Sequence, residues 1–221
     1  MIVTIDGPAG SGKSSAARQL AQRLGFRFLD TGSMYRAVAL AGQQQQVDWN
    51  SPEQLASVAA SCHIELTDTR VLLNGQDVTE QIRTLEITRL TKYAADNQQV
   101  RKLLVEAQRK FAEGKNVVAE GRDQATVVFP QAECKIFLTA EETVRAQRRF
   151  LDLVSRGERV TLDSVLVHQR ERDQQDEQRD FGGLRKAPDS IEVQTNGMSP
   201  EEVVERLESL VRERMPAVPD R

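Results

Sequence analysis

Cysteine and histidine are both scarce in this chain, with two of each among 221 residues. No stretch approaches the roughly 18 consecutive apolar residues that a membrane-spanning helix requires. Cys62 and Cys134 stand far apart with no metal-ligand spacing around either, so neither a zinc site nor a disulfide framework is indicated, and a reducing compartment is expected. His63 and His168 have no constellation of partners and read as structural or surface residues. The N-terminus lacks a charged leader followed by an apolar segment, because an apolar run begins at residue 2; a cytoplasmic protein with no membrane partner is the expectation. There is no surplus of positive charge either. Lys and Arg number 30 against 33 Asp and Glu, and a net charge of −3 argues against a broad nucleic-acid-binding face. No asparagine precedes a lysine, so the Asn-Lys-x-Asp guanine-reading motif of regulatory switches is missing. Hydrophobic residues make up 39% and charged residues 29%, enough for one well-buried core with room for an inserted subdomain.

What is present is concentrated at the start. The run Ile2-Val3-Thr4-Ile5 leads into Gly7-Pro8-Ala9-Gly10-Ser11-Gly12-Lys13-Ser14-Ser15, which fits the P-loop pattern G-x-x-x-x-G-K-[ST]. The pattern stands where it must, after a strand and before a helix carrying Ala16, Ala17, Leu20, Ala21 and Leu24 on one face, with Gly25 as its stop. Glycines let the backbone N–H groups turn inward as an anion-binding nest, and the positive end of the helix faces the same anion. Lys13 adds a charge for the outer phosphates, and the Ser14 hydroxyl suits Mg²⁺. A nucleoside triphosphate is the ligand that this arrangement implies.

Five apolar runs, Ile2 to Ile5, Phe26 to Leu29, Asn116 to Ala119, Lys135 to Thr139 and Ser190 to Thr195, alternate with helical patterns. They imply βαβ units: an α/β fold with a five-stranded parallel sheet flanked by helices. Val100, Leu103, Leu104, Ala107 and Phe111 form a helical stripe. Ser199-Pro200-Glu201-Glu202 is a capping box that opens a final helix with Val203, Val204, Leu207, Leu210 and Val211 inward. Residues 50 to 90 break the alternation. Ser51-Pro52-Glu53-Gln54 starts a capped helix, and Ile64-Glu65-Leu66 with Val71-Leu72-Leu73 reads as a small antiparallel hairpin, with Asn74-Gly75 as a turn signal. Gln43 to Gln46 reads as a solvated helix face, and 216–221 as a frayed tail.

In doubly wound sheets ligands sit beyond the carboxyl ends of the strands. There the chain places Leu29-Asp30-Thr31-Gly32-Ser33-Met34-Tyr35-Arg36 and Glu120-Gly121-Arg122-Asp123. A helix with Arg145, Arg148 and Arg149 follows the fourth strand, and then come Arg156 and Arg159. Arg170, Arg172, Asp173, Asp176 and Arg179 recur at three- and four-residue spacing, so several share a helical face. A group that moves a phosphoryl between two phosphates holds about four negative charges together, and arginine, with its bidentate fork, is suited to that.

The ordered set GPAGSGKS, LDTGSMYR, EGRD followed by TVVFP, KIFLTA with RAQRR, and RERDQQDEQR resembles the bacterial cytidylate kinase family over nearly the whole chain. The resemblance implies transfer of the γ-phosphoryl of ATP to CMP or dCMP with Mg²⁺. It implies a P-loop kinase core in one domain over 1–221, an inserted monophosphate-binding subdomain with a small antiparallel sheet at about 32–97, and a short lid at about 150–165. Gly7 to Ser15 would hold the ATP phosphates, with Lys13 reaching the transferred group. Arg36 and Arg122 match arginines near the CMP phosphate; Arg101 and Asp123 match positions that read cytosine, with Arg179 near the same base edge. Arg172 and Asp176 match a pair associated with the sugar hydroxyl, and Arg148, Arg149 and Arg156 would close over the phosphates. Thr31 stands where serine is common and keeps the hydroxyl. Lys92 replaces a frequent serine, and Gln124-Ala125 replaces a hydrophobic-glycine pair, so the backbone there must avoid the φ values that favour glycine. A monomer with no nucleic-acid partner is expected. Other P-loop small-molecule kinases, acting on UMP, AMP or shikimate, share the cradle; the hairpin with Arg101, Asp123 and Arg179 favours cytidine.

Overall fold

The computed structural model describes residues 1–67, 69–155 and 157–215, so Arg156 and the tail at 216–221 lie outside the described residues. The apolar runs become β1 (Ile2–Asp6), β2 (Arg27–Asp30), β6 (Val117–Gly121), β7 (Cys134–Thr139) and β8 (Ile191–Gln194), in one five-stranded sheet of order β2-β6-β1-β7-β8. β1 pairs in parallel with both β6 and β7, and Val3, Ile5, Val118, Ile136 and Leu138 are fully buried. Near-continuous burial is what a parallel sheet covered on both faces requires. Each such aliphatic side chain contributes about 1.5–3 kcal/mol when removed from water.

Two helices close one part of this core. α1 (Lys13–Leu24) buries Ala16, Ala17, Leu20 and Ala21 and stops at Gly25, while α8 (Pro200–Arg212) buries Val203, Val204, Leu207, Leu210 and Val211. At the start of α8, Ser199 Oγ accepts from the Glu202 amide (3.3 Å), and the Glu202 carboxylate accepts from the Ser199 amide (2.8 Å). α6 (Glu142–Ser155) and α7 (Leu162–Gln178) pack together over their own small cluster of Ala146, Leu153 and Val165, supported by Phe150, Val160 and Leu166.

The chain divides into two compact units, Met1–Phe28 with Lys115–Arg221, and Leu29–Gly114. In the second, α2 (Thr31–Gln44), α3 (Pro52–Ser61), α4 (Leu85–Asp96) and α5 (Gln98–Ala112) surround a three-stranded antiparallel sheet of β3 (Ile64–Leu66), β4 (Val71–Leu73) and β5 (Gln76–Asp77). Asp30 caps α2 by accepting from the Ser33 amide (3.0 Å). The expected antiparallel pairing of β3 with β4 is present, and Asn74-Gly75 is a turn: with φ of 52° and 81° it closes β4 onto a third strand, two successive positive φ values being what a tight primed hairpin turn requires. Two expectations are corrected here. Ser51 precedes α3 without capping it, because its hydroxyl donates to Glu53 (3.3 Å). On α5 the inward face holds Val100, Arg101, Leu104, Val105, Gln108 and Ala112, whereas Ala107 is exposed; the helix is rotated so that polar groups with partners of their own go inside.

Gly42, inside α2, has no room for a side chain. A Cβ there would stand 2.8 Å from Leu55 Cδ1 and 3.2 Å from the Trp49 ring. Gly42→Ala is expected to lower stability by about 1–3 kcal/mol in urea unfolding, although alanine is the better helix former. A neutral or stabilising outcome would contradict this packing.

Candidate active site

The register of β1 with β6 sets Ile5 opposite Glu120 and Asp6 opposite Gly121, so the turns that leave both strands begin side by side. From β1 the chain enters the cradle. Gly7 has φ 155° and lies so close to the end of β7 that a Cβ would meet Leu138 O at 2.0 Å. Gly12 caps α1 with no side-chain bond, leaving the first helical N–H groups for an anion. Ser11 is buried, and its hydroxyl has no hydrogen-bond partner among the described residues. Ser14 Oγ donates to Glu120 Oε1 (2.9 Å), while Ser15 is exposed.

Lys13 is 5% exposed, with its ammonium donating to Pro8 O (3.0 Å). Burial first, and then the nearby Arg122 and Arg172 charges, push it down to about 7, partly opposed by Glu120 and Asp176. A cation so placed is held in wait for an anion.

From β6 the chain enters a tight π-helical turn at Gln124–Val128. Asp6, which sequence reasoning passed over, anchors that turn: its buried carboxylate accepts from the Gln124 amide (2.9 Å) and the Ala125 amide (2.7 Å). Burial raises its pKa to about 7 against the lowering effect of those two bonds. A charged residue that ends an otherwise apolar strand immediately before a P-loop was the available signal. Neither Gln124 nor Ala125 has a positive φ, so this pair stands without strain where glycine was expected.

Arg122 leaves the turn as a half-buried guanidinium. Its Nε donates to Asp176 Oδ2 (2.7 Å) on α7, and Arg179 Nη2 donates to the other oxygen, Asp176 Oδ1 (3.0 Å). Burial alone would push the Asp176 carboxyl up, but Arg122, Arg172 and Arg179 hold it well below the usual carboxylate range. Asp123, 3% exposed, follows Arg122, with its carbonyl accepting from the Val127 and Val128 amides. The charged run of α7 therefore divides: Arg170 makes an exposed pair with Glu142 (2.8 Å), Asp173 turns toward Arg145 (2.5 Å), and Arg172, Asp176 and Arg179 belong with Arg122.

The remaining candidates are more dispersed. Arg148 donates to Thr195 Oγ1 (2.9 Å) and Thr195 O (2.8 Å), and Arg149 pairs with Asp152 (2.9 Å). In the second unit Thr31 is buried, Arg36 is half-buried, and Arg101 is 2% exposed, donating to Ala95 O (3.1 Å) with its guanidinium 5.2 Å from the Tyr35 ring centroid. Lys92 is exposed and lies 5.0 Å over the Tyr93 ring. His63 meets Glu65 (3.0 Å) and His168 meets Ser164 O (2.7 Å), both on the surface. Among the described residues no helix is long and apolar enough to cross a membrane.

A glycine cradle between the central strand of a parallel sheet and a helix, beside a buried lysine, defines a P-loop nucleotide-binding protein. Comparison narrows the class. The cytidylate kinase family matches residues 3–213, and the chain belongs to that family. A cytidylate kinase of Rhodopirellula baltica is 48% identical over 96% of this chain and 93% of its own length; one from Geobacter sulfurreducens is 42% identical over 99% and 96%. A bifunctional pantoate ligase/cytidylate kinase of Synechococcus elongatus is 45% identical over 96% of this chain but only 42% of its own length. An uncharacterized protein of Eubacterium ventriosum has the same fold, with a TM-score of 0.54 at 14% identity, covering 97% and 99% of the two chains.

The depressed Lys13 has a consequence for stability. Its folded-state pKa lies below its unfolded value of 10.5, so its contribution is present above about pH 10.5 and is lost as pH falls to about 7. Lys13→Met is therefore expected to melt higher than the unaltered, nucleotide-free protein at pH 6–7, the difference shrinking toward pH 10. A pH series of thermal melts decides it, and a difference that does not change with pH would contradict the assignment.

Proposed function

We infer that this chain transfers the γ-phosphoryl group of ATP to CMP or dCMP, giving ADP and CDP or dCDP. The observation that carries the reading is the convergence, at one pair of strand ends, of a cradle holding buried Lys13 with Arg122 gripped by Asp176. The cradle Gly7 to Ser15 takes the ATP phosphates, and Lys13 and Arg122 serve as the catalytic cations. A loose transition state needs positioning and charge stabilisation rather than a strong general base.

For the acceptor we assign Asp123, Arg172, Asp176 and Arg179 of the first unit; Thr31, Arg36 and Arg101, of the second unit, keep the substrate-binding roles that the family resemblance implies. Cytosine offers an amino donor beside two acceptors. A carboxylate such as Asp123 accepts from the amine, whereas uracil sets a carbonyl there and meets repulsion. An unpaired buried polar group costs about 1–3 kcal/mol, enough for a preference. Arg149, whose pair with Asp152 is open to solvent, can exchange it for phosphate; Arg148 must first give up two bonds to Thr195. We assign the inserted monophosphate-binding part to about 32–97 and the lid to about 150–165.

Mg²⁺ takes hard oxygen donors, and the pairing of Ser14 Oγ with Glu120 fits such an ion beside the phosphates. Ser14 would hold it, and when bound it screens phosphate charge. A monomer acting in the cytoplasm, where ATP and CMP are available, is the setting we assign.

ADP release measured with CMP, dCMP, UMP, AMP and shikimate tests the reading. Preference for a cytidine nucleotide is expected, and preference for any other acceptor overturns it. Lys13→Ala is expected to raise the barrier by about 3 kcal/mol, roughly a hundredfold in kcat; near-normal kcat would remove Lys13 from the chemistry. Asp123→Asn should narrow the CMP-to-UMP ratio of kcat/KM, and an unchanged ratio would show that Asp123 does not read the base.

A further inference from the structure

We infer that Asp173, acting with Arg145, is a positioning residue for the phosphate cradle. The inference rests on the reading that the cradle binds ATP, and it concerns a stretch of cradle whose backbone is held by side chains from distant helices. Ala9 donates its N–H to Asp173 Oδ1 (3.3 Å), and its carbonyl accepts from Arg145 Nη1 (2.9 Å). The two gripping groups are themselves joined, Arg145 Nη1 to Asp173 Oδ2 at 2.5 Å, with side chains only 9% and 13% exposed. Arg145 is fixed in turn through Nε, which donates to Ala140 O (3.0 Å) just beyond β7.

The geometry of the peptide gives this grip its purpose. The Ala9 carbonyl and the Gly10 N–H belong to one planar trans unit, in which they point in opposite directions. Holding the carbonyl from the α6 side therefore aims the Gly10 N–H the other way. In a nest of inward-turned amides, the aim of each N–H decides how well an anion is bound.

The space around Gly10 agrees. With φ 76°, its missing Cβ would lie 3.0 Å from Arg145 O, 3.1 Å from Arg145 Cβ and 3.3 Å from Gln169 Oε1. Gln169 is 6% exposed, donates through Nε2 to Glu142 O (3.1 Å), and has no hydrogen-bond partner for Oε1 among the described residues. Gln169 and Asp173 stand one turn apart on α7, while Arg145 is on α6. These helices share a hydrophobic cluster separate from the one beneath the sheet, so they meet the cradle largely through polar groups. One turn further along α7, Asp176 holds Arg122. A single helix thus sets both the donor-phosphate cradle and an acceptor-side arginine.

Calorimetric binding of ATP and of CMP, steady-state KM for each, and thermal melting are to be measured for the unaltered protein, Asp173→Asn and Asp173→Ala. Asp173→Ala loses both the amide acceptor and the ion pair; it is expected to weaken ATP binding about tenfold, the scale of a hydrogen bond to a charged group. CMP affinity should stay close to that of the unaltered protein, even though the unpaired, buried Arg145 lowers the melting temperature. Asp173→Asn keeps an acceptor for the Ala9 amide but loses the charge on Arg145, and should fall between. Unchanged ATP affinity overturns the inference, as does parallel loss of ATP and CMP affinity together with melting temperature, the mark of a merely structural pair. Should Asp173→Ala fail to fold, Asp173→Asn decides by the same criteria. If the unaltered protein itself binds no ATP, the kinase reading fails and the positioning role falls with it; ATP binding by the unaltered protein with no change in Asp173→Ala overturns the positioning role alone.

Discussion

The site depends on a carboxylate buried in the core. Asp6 ends the central strand, is 1% exposed, and spends both oxygens on the amides of Gln124 and Ala125. Gly7, the first residue of the cradle, is its neighbour on one side; Arg122 and Asp123 immediately precede the amides it holds. Two turns leaving different strands are thereby fixed to each other by one side chain. Burying such a group is unfavourable, as its raised pKa records, and it is tolerable only because two N–H groups converge on it. The return is register: the cradle and the arginine beside it cannot drift apart without leaving those amides unpaired.

Around this anchor the protein arranges charge ahead of any ligand. Lys13, Arg122, Arg172 and Arg179 are gathered at the strand ends, with Glu120 and Asp176 among them as counter-charges. Arg122, which donates through Nε to Asp176 and through Nη1 to Gly121 O, keeps its orientation, so little reorganisation remains when phosphates arrive. α7 is the main carrier of this order. Val165 and Leu166 join it to a small apolar cluster with α6, while its polar faces address Ala9, Arg122 and Arg145.

Much of this was legible in the chain. The five parallel strands, the cradle, the helix that follows it and the capped final helix came from apolar runs, glycine spacing and a capping box, because those signals are local. What escaped was decided by tertiary context. Asn74-Gly75 announced a turn but not which strands it would join, since β5 has only two residues and no apolar pattern. On α5 hydrophobicity favoured Ala107 for the core, but the fold buried Arg101 and Gln108, polar groups whose interactions the helix pattern could not reveal. Arg148 and Arg149 stood together in sequence, yet their partners, Thr195 and Asp152, differ widely in distance along the chain. Asp173 appeared among the charges of α7 without a role, and Asp6 did not appear at all; a residue's spacing cannot show which distant amide it will accept from.

The central claim, that Asp6 holds the donor and acceptor sides in register, is most directly tested by separate calorimetric titrations of Asp6→Asn with ATP and with CMP. The amide can satisfy only one of the two N–H groups, so both turns should shift. Weaker binding of both nucleotides by a protein that remains folded is the expected result. A loss confined to one nucleotide, or unchanged affinity for both, would contradict it.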